Sequence, residues 1–223
     1  VLNNRYMEIH YLSEKNSVLN HFLSQIRNVN VQKDSMRFRR NIERIGEIMA
    51  YEMSQSFHYK DVEIKTPLGV KKTTEIADQL VVCSILRAGL TLHQGFLNYF
   101  DNAENGFISA YRHHPNNDDF FDILVEYQAI ADINGKNVLL VDPMLATGQS
   151  IVAVFNKLME RGTPKEIHIA VIIAAPEGIA YLKQNLPDTC HLWIASLDEK
   201  LNDKSYIVPG LGDAGDLAYG TKL

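Results

Sequence analysis

The 223-residue chain carries 22 Lys plus Arg against 27 Asp plus Glu, is 46% hydrophobic and has two cysteines, the balance of an ordinary globular protein. Folding a chain of this length buries roughly 70% of the unfolded surface, so neither a disulfide nor a structural metal is required for stability. A net charge of -5 excludes a general polyanion or membrane-surface binder but leaves room for a local basic pocket that takes a phosphorylated small molecule.

The opening VLNNRYMEIHYLSEKN lacks the basic region and long apolar block of a secretory signal, and no stretch approaches the roughly 18 uninterrupted apolar residues of a membrane span. A cytoplasmic protein with no membrane and no nucleic-acid partner is expected. SVLNHFLSQIRN and SMRFRRNIERIGEIMAYEMSQSF repeat apolar residues at three- and four-residue spacing, which predicts a helical N-terminal part within 1–58, with Ser17 and Ser35 near the N-caps. From Asp61 the period changes to two: Val62 and Ile64 alternate with charged residues, TPLG supplies a turn and VKKTTEI returns, giving a two-stranded arm over about 61–76.

From about 79 to 198 the dense apolar runs LVVCSIL, GFISAY, NVLLVD, IHIAVIIAA and HLWIAS are separated by helix-length stretches. Runs of this kind are buried on both faces, which predicts an α/β fold with a mostly parallel, doubly wound sheet. Right-handed crossovers then place the loops that follow strands along one edge, where such sheets bind ligands. Cys83 and Cys190 fall inside these runs and read as buried, reduced thiols. No repeat or Gly/Ser linker divides the chain, so residues 1–223 read as one domain.

The segment richest in chemistry is NVLLVDPMLATGQSIVAVFNKLMERG at 137–162, which reads strand, loop, helix. An apolar strand ends at Asp142. Thr147, Gly148 and Ser150 then bring hydroxyls, a flexible backbone and free amides to the positive end of a helix, an arrangement that suits a phosphate monoester. Read alone, the same stretch also fits a plain strand-to-helix connection with a Ser cap. Neither G-x-x-x-x-G-K-[ST] nor a post-strand G-x-G-x-x-G is present, which argues against kinase and dehydrogenase chemistry.

DPMLATG, with the strand before it, resembles the phosphoribosyl diphosphate signature of type I phosphoribosyltransferases, in the form found in uracil phosphoribosyltransferases. SILRAGL at 84–90 is similar to that family's diphosphate loop, AYRHH at 110–114 to the start of its mobile loop, AAPEG at 174–178 to a further segment, and YIVPGLGDAGDLAYGTK at 206–222 to its uracil-binding segment. The resemblance implies transfer of phosphoribosyl from phosphoribosyl diphosphate to uracil. It also implies a β-arm hairpin, and a C-terminal base-binding hood over 199–223.

The diphosphate leaves with growing negative charge, so cations at the binding edge are needed. By resemblance Arg87 and Arg112 serve there, and Asp142 accepts hydrogen bonds from the ribose hydroxyls. Phosphoribosyl diphosphate contacts extend over Arg87, Ala88, Gly89, Arg112, Asp142, Pro143, Met144, Leu145, Ala146, Thr147, Gly148, Gln149, Ser150 and Asp213. Mg²⁺ is expected on substrate oxygens and water, with no protein metal site. Ala146, Tyr206, Ile207, Gly212 and Ala214 line the base, and Asp213 stands near the ribose or the reacting nitrogen. The arm implies a homodimer or higher homo-oligomer, since a lone hairpin is poorly stable.

This chain departs from the family pattern at several positions. Gln149 replaces a usual glycine, Ser84 a usual proline, Leu217 a basic residue and Tyr219 a phenylalanine, and the acidic PNNDDFFDILVEYQAI follows His113 and His114. The divergent stretch keeps a second reading open: a non-catalytic regulator that senses phosphoribosyl diphosphate. Transfer to another base is a third. The eight histidines show no zinc-ligand spacing.

Overall fold

The computed structural model describes residues 7–113 and 122–222. Strand β1 (Glu8–Tyr11) precedes helices α1 (Val18–Arg27) and α2 (Ser35–Ser54). Ser17 caps α1, its hydroxyl accepting from the Leu19 N–H at 3.2 Å. At α2 the cap is Asp34, not Ser35: Asp34 Oδ1 accepts from the Arg37 N–H at 3.1 Å, and Ser35 becomes the first helical residue. The carboxylate one position earlier reaches the open donors of the first turn.

The arm is β2 (Tyr59–Thr66) paired antiparallel with β3 (Gly69–Ile76). Among the described residues it joins no other strand. The core follows with β4 (Leu80–Leu86), α3 (Gly89–Leu97), β5 (Glu104–His113), β6 (Asp122–Ile130), β7 (Asn137–Val141) and β8 (Met144–Leu145). It continues through α4 (Gln149–Met159), β9 (Glu166–Ala174), α5 (Pro176–Asn185) and β10 (Cys190–Leu197), and the tail adds β11 (Lys200–Leu201), β12 (Ile207–Val208) and α6 (Ala214–Tyr219).

The sheet runs β1-β10-β9-β7-β4-β5-β6, with β8 against β9. Every pairing is parallel except β5 with β6. Successive residues of one strand point to opposite faces, which is why the apolar runs are continuous. Val82 and Leu139 pack with Leu19, Ile42 and Phe96 of α1, α2 and α3, while Val81 and Leu140 pack with Val154 and Leu158 of α4 and Leu182 of α5. The mostly parallel, doubly wound α/β expectation is therefore correct. Cys83 and Cys190 are free and buried, and burial pushes both thiols up to about 12. No described helix is long and apolar enough to cross a membrane.

Five strands were not anticipated: β1, β6 and the two-residue β8, β11 and β12. β1 is a four-residue edge strand, too short for alternation to register. β6 arises from DILVEYQAI, where the acidic run before it suggested a loop; Ala110 pairs with Val125 and Arg112 with Ile123, beyond a register shift that follows Ile108. The start of the expected mobile loop, 110–113, is therefore paired strand. His114 and residues 115–121 lie outside the described residues.

Candidate active site

A cavity of about 720 Å³ opens at the C-terminal ends of β4 and β7 and beneath the C-terminal tail. Its floor is the loop from Asp142 to Ser150. Pro143 is buried behind the wall, its carbonyl accepting from the N–H groups of Ile172 and Ile173 at 3.0 Å. Met144 and Leu145 form β8 against Ile173 and Ala174, so the loop is held as an extension of the sheet. Gly148 then turns the chain at φ +81 into α4, a left-handed conformation that L side chains avoid.

The loop needs α5 to come close. A Cβ on Gly178 meets the Ala146 carbonyl at 2.3 Å, which gives a physical reason for the glycine of AAPEG. Ala146, Thr147, Gly148 and Ser150 face the cavity. Gln149 is not part of the wall; its Oε1 is buried without a hydrogen-bond partner among the described residues.

Asp142 lies on the wall, with its N–H bonded to the Ala170 carbonyl at 3.1 Å. Its Oδ1 accepts from the Met144 N–H at 3.3 Å. Burial, with a smaller contribution from the nearby Asp213 carboxylate, outweighs that hydrogen bond and pushes the Asp142 carboxyl up to about 7.

Arg87 and Ala88 reach the cavity from the end of β4, with Gly89 opening α3 behind them. Arg87 Nη2 donates to Asp216 Oδ1 and to the Gly220 carbonyl, both at 3.2 Å. Its Nε is buried and unpartnered among the described residues. Arg112 lies in β5, next to the cavity-lining pair Ala110 and Tyr111, and its side chain is outside the described residues.

The tail closes the cavity. Tyr206, Ile207, Gly212 and Asp213 line it, whereas Ala214 is buried in the core as the first residue of α6. Asp213 caps α6, its Oδ1 accepting from the Asp216 N–H at 2.9 Å. Tyr219, the departure from phenylalanine, shares a 2.6 Å hydrogen bond with Thr91 Oγ1. Leu217 packs against the core. Buried Ser84, the departure from proline, leaves its hydroxyl inside β4 without a partner among the described residues.

The tail is clamped from the N-terminal helices. Arg27 at the end of α1 forms a bidentate pair with buried Asp198 and donates to the Gly210 carbonyl at 2.9 Å and to Ser196 Oγ at 3.1 Å. Asp198 Oδ2 also accepts from the Gly210 N–H at 2.9 Å. Gln32 and Arg39 hold the carbonyls of Leu211 and Ala218 at 3.0 and 2.7 Å.

Sequence reasoning missed Tyr111, Lys204, Asp216 and Lys222, all on the wall. Asp216 and Lys222 lie inside the tail segment at 206–222, and their charges in an otherwise glycine-rich, apolar stretch were the available signal. Arg27 and Asp198 gave no local signal.

Comparison with known proteins completes the description. Residues 13–221 match the model of the family described as "Uracil phosphoribosyltransferase". A protein of that name from Porphyromonas gingivalis is 49% identical over 97% of this chain and 100% of its own length. One from Staphylococcus haemolyticus is 43% identical over 92% of this chain and 95% of its own. Among solved structures, the AQ2163 protein from Aquifex aeolicus superposes with a TM-score of 0.85 at 28% identity, covering 96% of this chain and 99% of that one.

Proposed function

The chain belongs to the uracil phosphoribosyltransferase family, and on that premise we propose how its cavity transfers the 5-phosphoribosyl group of phosphoribosyl diphosphate to uracil, giving UMP and diphosphate. The observation that carries the reading is the meeting of the Thr147–Gly148 loop and the Gly212–Asp213 tail on one cavity. A sugar phosphate on the first then lies beside a flat base on the second.

The 5'-phosphate takes the amides and hydroxyls of 146–150 at the N-terminus of α4, an 11-residue helix, where the helix dipole favours an anion. Asp142 accepts from the ribose hydroxyls. As the bond from the ribose carbon to diphosphate breaks and the bond to the base nitrogen forms, charge collects on the leaving group. We assign Arg87 and Arg112 to bind it, each charge-assisted hydrogen bond contributing roughly 1.5–3 kcal/mol. The unpartnered Nε of Arg87 is a donor waiting for an acceptor, and diphosphate competes with Asp216 and Gly220 for its Nη2. Asp213 is the carboxylate we assign to the proton leaving the base nitrogen.

Mg²⁺, held mainly by substrate oxygens and water, neutralises the diphosphate when bound. The wall fits such a cation: the carboxyls of Asp142 and Asp213 line the same cavity and would accept from its bound water. Uracil lies against Ala146, Tyr206, Ile207 and the backbone of Gly212. Main-chain donors that meet a uracil carbonyl face the exocyclic donor of cytosine without a partner, which supplies selectivity.

Assaying nucleotide formation across bases tests the reading. UMP from uracil is expected as the main product, with Arg87→Ala lowering kcat/KM by about 10- to 100-fold, the equivalent of one such hydrogen bond. No product with any base supports the regulator, and a preference for hypoxanthine or cytosine overturns the uracil assignment.

We also propose that the chain self-associates through the arm, on which Ile64, Leu68 and Val70 stand exposed while β2 and β3 pair only with each other among the described residues. Sedimentation is expected to show a dimer or larger in the wild type and dissociation in Leu68→Asp/Val70→Asp. A monomeric wild type refutes this.

A further inference from the structure

At the N-terminal ends of β10 and β9, away from the cavity, the sheet edge gathers side chains that the transfer reaction does not use. Glu8 and His10 are two apart on β1, so they share one face of the sheet. Glu8 is the register partner of His191 on β10, and His10 that of Trp193. The sequence places these residues at opposite ends of the chain, so no ligand spacing advertises them.

Their atoms converge. Glu8 Oε1 lies 3.6 Å from His10 Nε2 and Glu8 Oε2 lies 3.3 Å from His191 Nδ1. One ligand atom from each of the three residues falls within 4.8 Å of the others. Neither contact is a hydrogen bond: His10 Nε2 and His191 Nδ1 are both shielded from solvent and have no hydrogen-bond partner among the described residues. Two unpartnered imidazole nitrogens facing one carboxylate are a costly arrangement when left empty. A tetrahedral ion with bonds of about 2.0–2.1 Å spaces its ligands by about 3.3 Å; the two nitrogens approach opposite oxygens of the carboxylate, so the exposed Glu8 side chain turns one oxygen toward both when it ligates.

The rings are held in place. His10 stacks on Trp193 with centroids 3.7 Å apart, and His191 stacks on His168 at 4.8 Å. His168 is itself satisfied: its Nδ1 accepts from Trp193 Nε1 at 3.2 Å and its Nε2 faces Glu166 Oε2 at 3.3 Å. It orients a ligand without serving as one, the usual task of neighbours around a metal.

We propose that Glu8, His10 and His191 bind a divalent ion of the zinc class, with water as the fourth ligand, and so staple edge strand β1 to β10. Two nitrogens and one carboxylate oxygen are a donor set that suits zinc and leaves one position open.

The test is titration of metal-stripped full-length protein with zinc chloride, followed by calorimetry and thermal melting. One ion per chain is expected, with a rise in Tm, since an ion that binds only the folded state stabilises it. Glu8→Gln, at an exposed edge position, is expected to weaken binding by about tenfold or more and to remove the Tm rise, while UMP formation stays at the wild-type rate. His10→Gln checks a second ligand, and Co²⁺ in place of zinc is expected to give the visible absorption of a four-coordinate site. Absence of zinc binding in the wild type, or equal affinity in wild type and Glu8→Gln, overturns the proposal.

Discussion

Arg27→Ala is expected to destabilise the protein by about 3–5 kcal/mol, the range for breaking one partner out of a buried ion pair, and to raise the KM for uracil more than that for phosphoribosyl diphosphate. The Asp198 side chain is 3% exposed. Without Arg27 its charge stays in the interior with the Gly210 N–H as its remaining hydrogen bond. The Gly210 carbonyl and Ser196 hydroxyl lose a donor at the same time. For a chain of this size the stability loss corresponds to a fall in Tm of about 6–20 °C. The base site suffers because the freed segment runs directly into Leu211, Gly212 and Asp213, whereas the phosphate loop is anchored separately through β8 and α5. Thermal melting together with steady-state kinetics checks both parts. A variant with the wild-type Tm removes the clamp, and equal rises in both KM values remove its link to the base.

Asp142→Asn is expected to lower kcat/KM by about 100-fold, from the loss of charge-assisted acceptance of two ribose hydroxyls at a combined ~3 kcal/mol. The same substitution carries a stability signature of definite sign. In the wild type the folded carboxyl is raised from 3.8 to about 7 by burial and by Asp213, so the folded state holds the proton that the unfolded chain has already released. Wild-type stability therefore falls as pH climbs from about 4 to about 7 and is level above that, by at most about 1.4 kcal/mol per pH unit. Asn has no proton to lose. The Tm of the variant minus that of the wild type, measured without substrate, is expected to grow between pH 5 and pH 7.5. A difference that stays constant across this window means that Asp142 is not raised, and wild-type kinetics in the variant exclude its ribose role.

The cavity floor was legible because it is written locally. A strand buried on both faces must be apolar throughout, Asp142 marks where the strand of 138–141 leaves the core, and Thr147, Gly148 and Ser150 are the residues that a helix N-terminus needs to receive an anion. The tail was legible through its glycines: Gly210 and Gly212 take positive φ, and few residues other than glycine serve there. At α2 the same local reasoning erred by one residue, since Asp34 and Ser35 are both good caps and only the chain's entry into the helix selects between them.

β6 escaped because its pairing with β5 is antiparallel and edge-located, so Glu126, Tyr127 and Ala129 are exposed and its polar residues mimic a loop. The amphipathic stripe of a helix and the alternation of a strand depend on neighbours in sequence, and those features the chain determines unaided. Arg27 with Asp198, Arg87 with Asp216 and Gly220, and Glu8 with His10 and His191 are meetings between segments from opposite ends of the chain. Only the tertiary structure decides them, because a polar side chain's partner is set by which distant backbone the packed core carries within hydrogen-bond reach, and no periodicity encodes that distance.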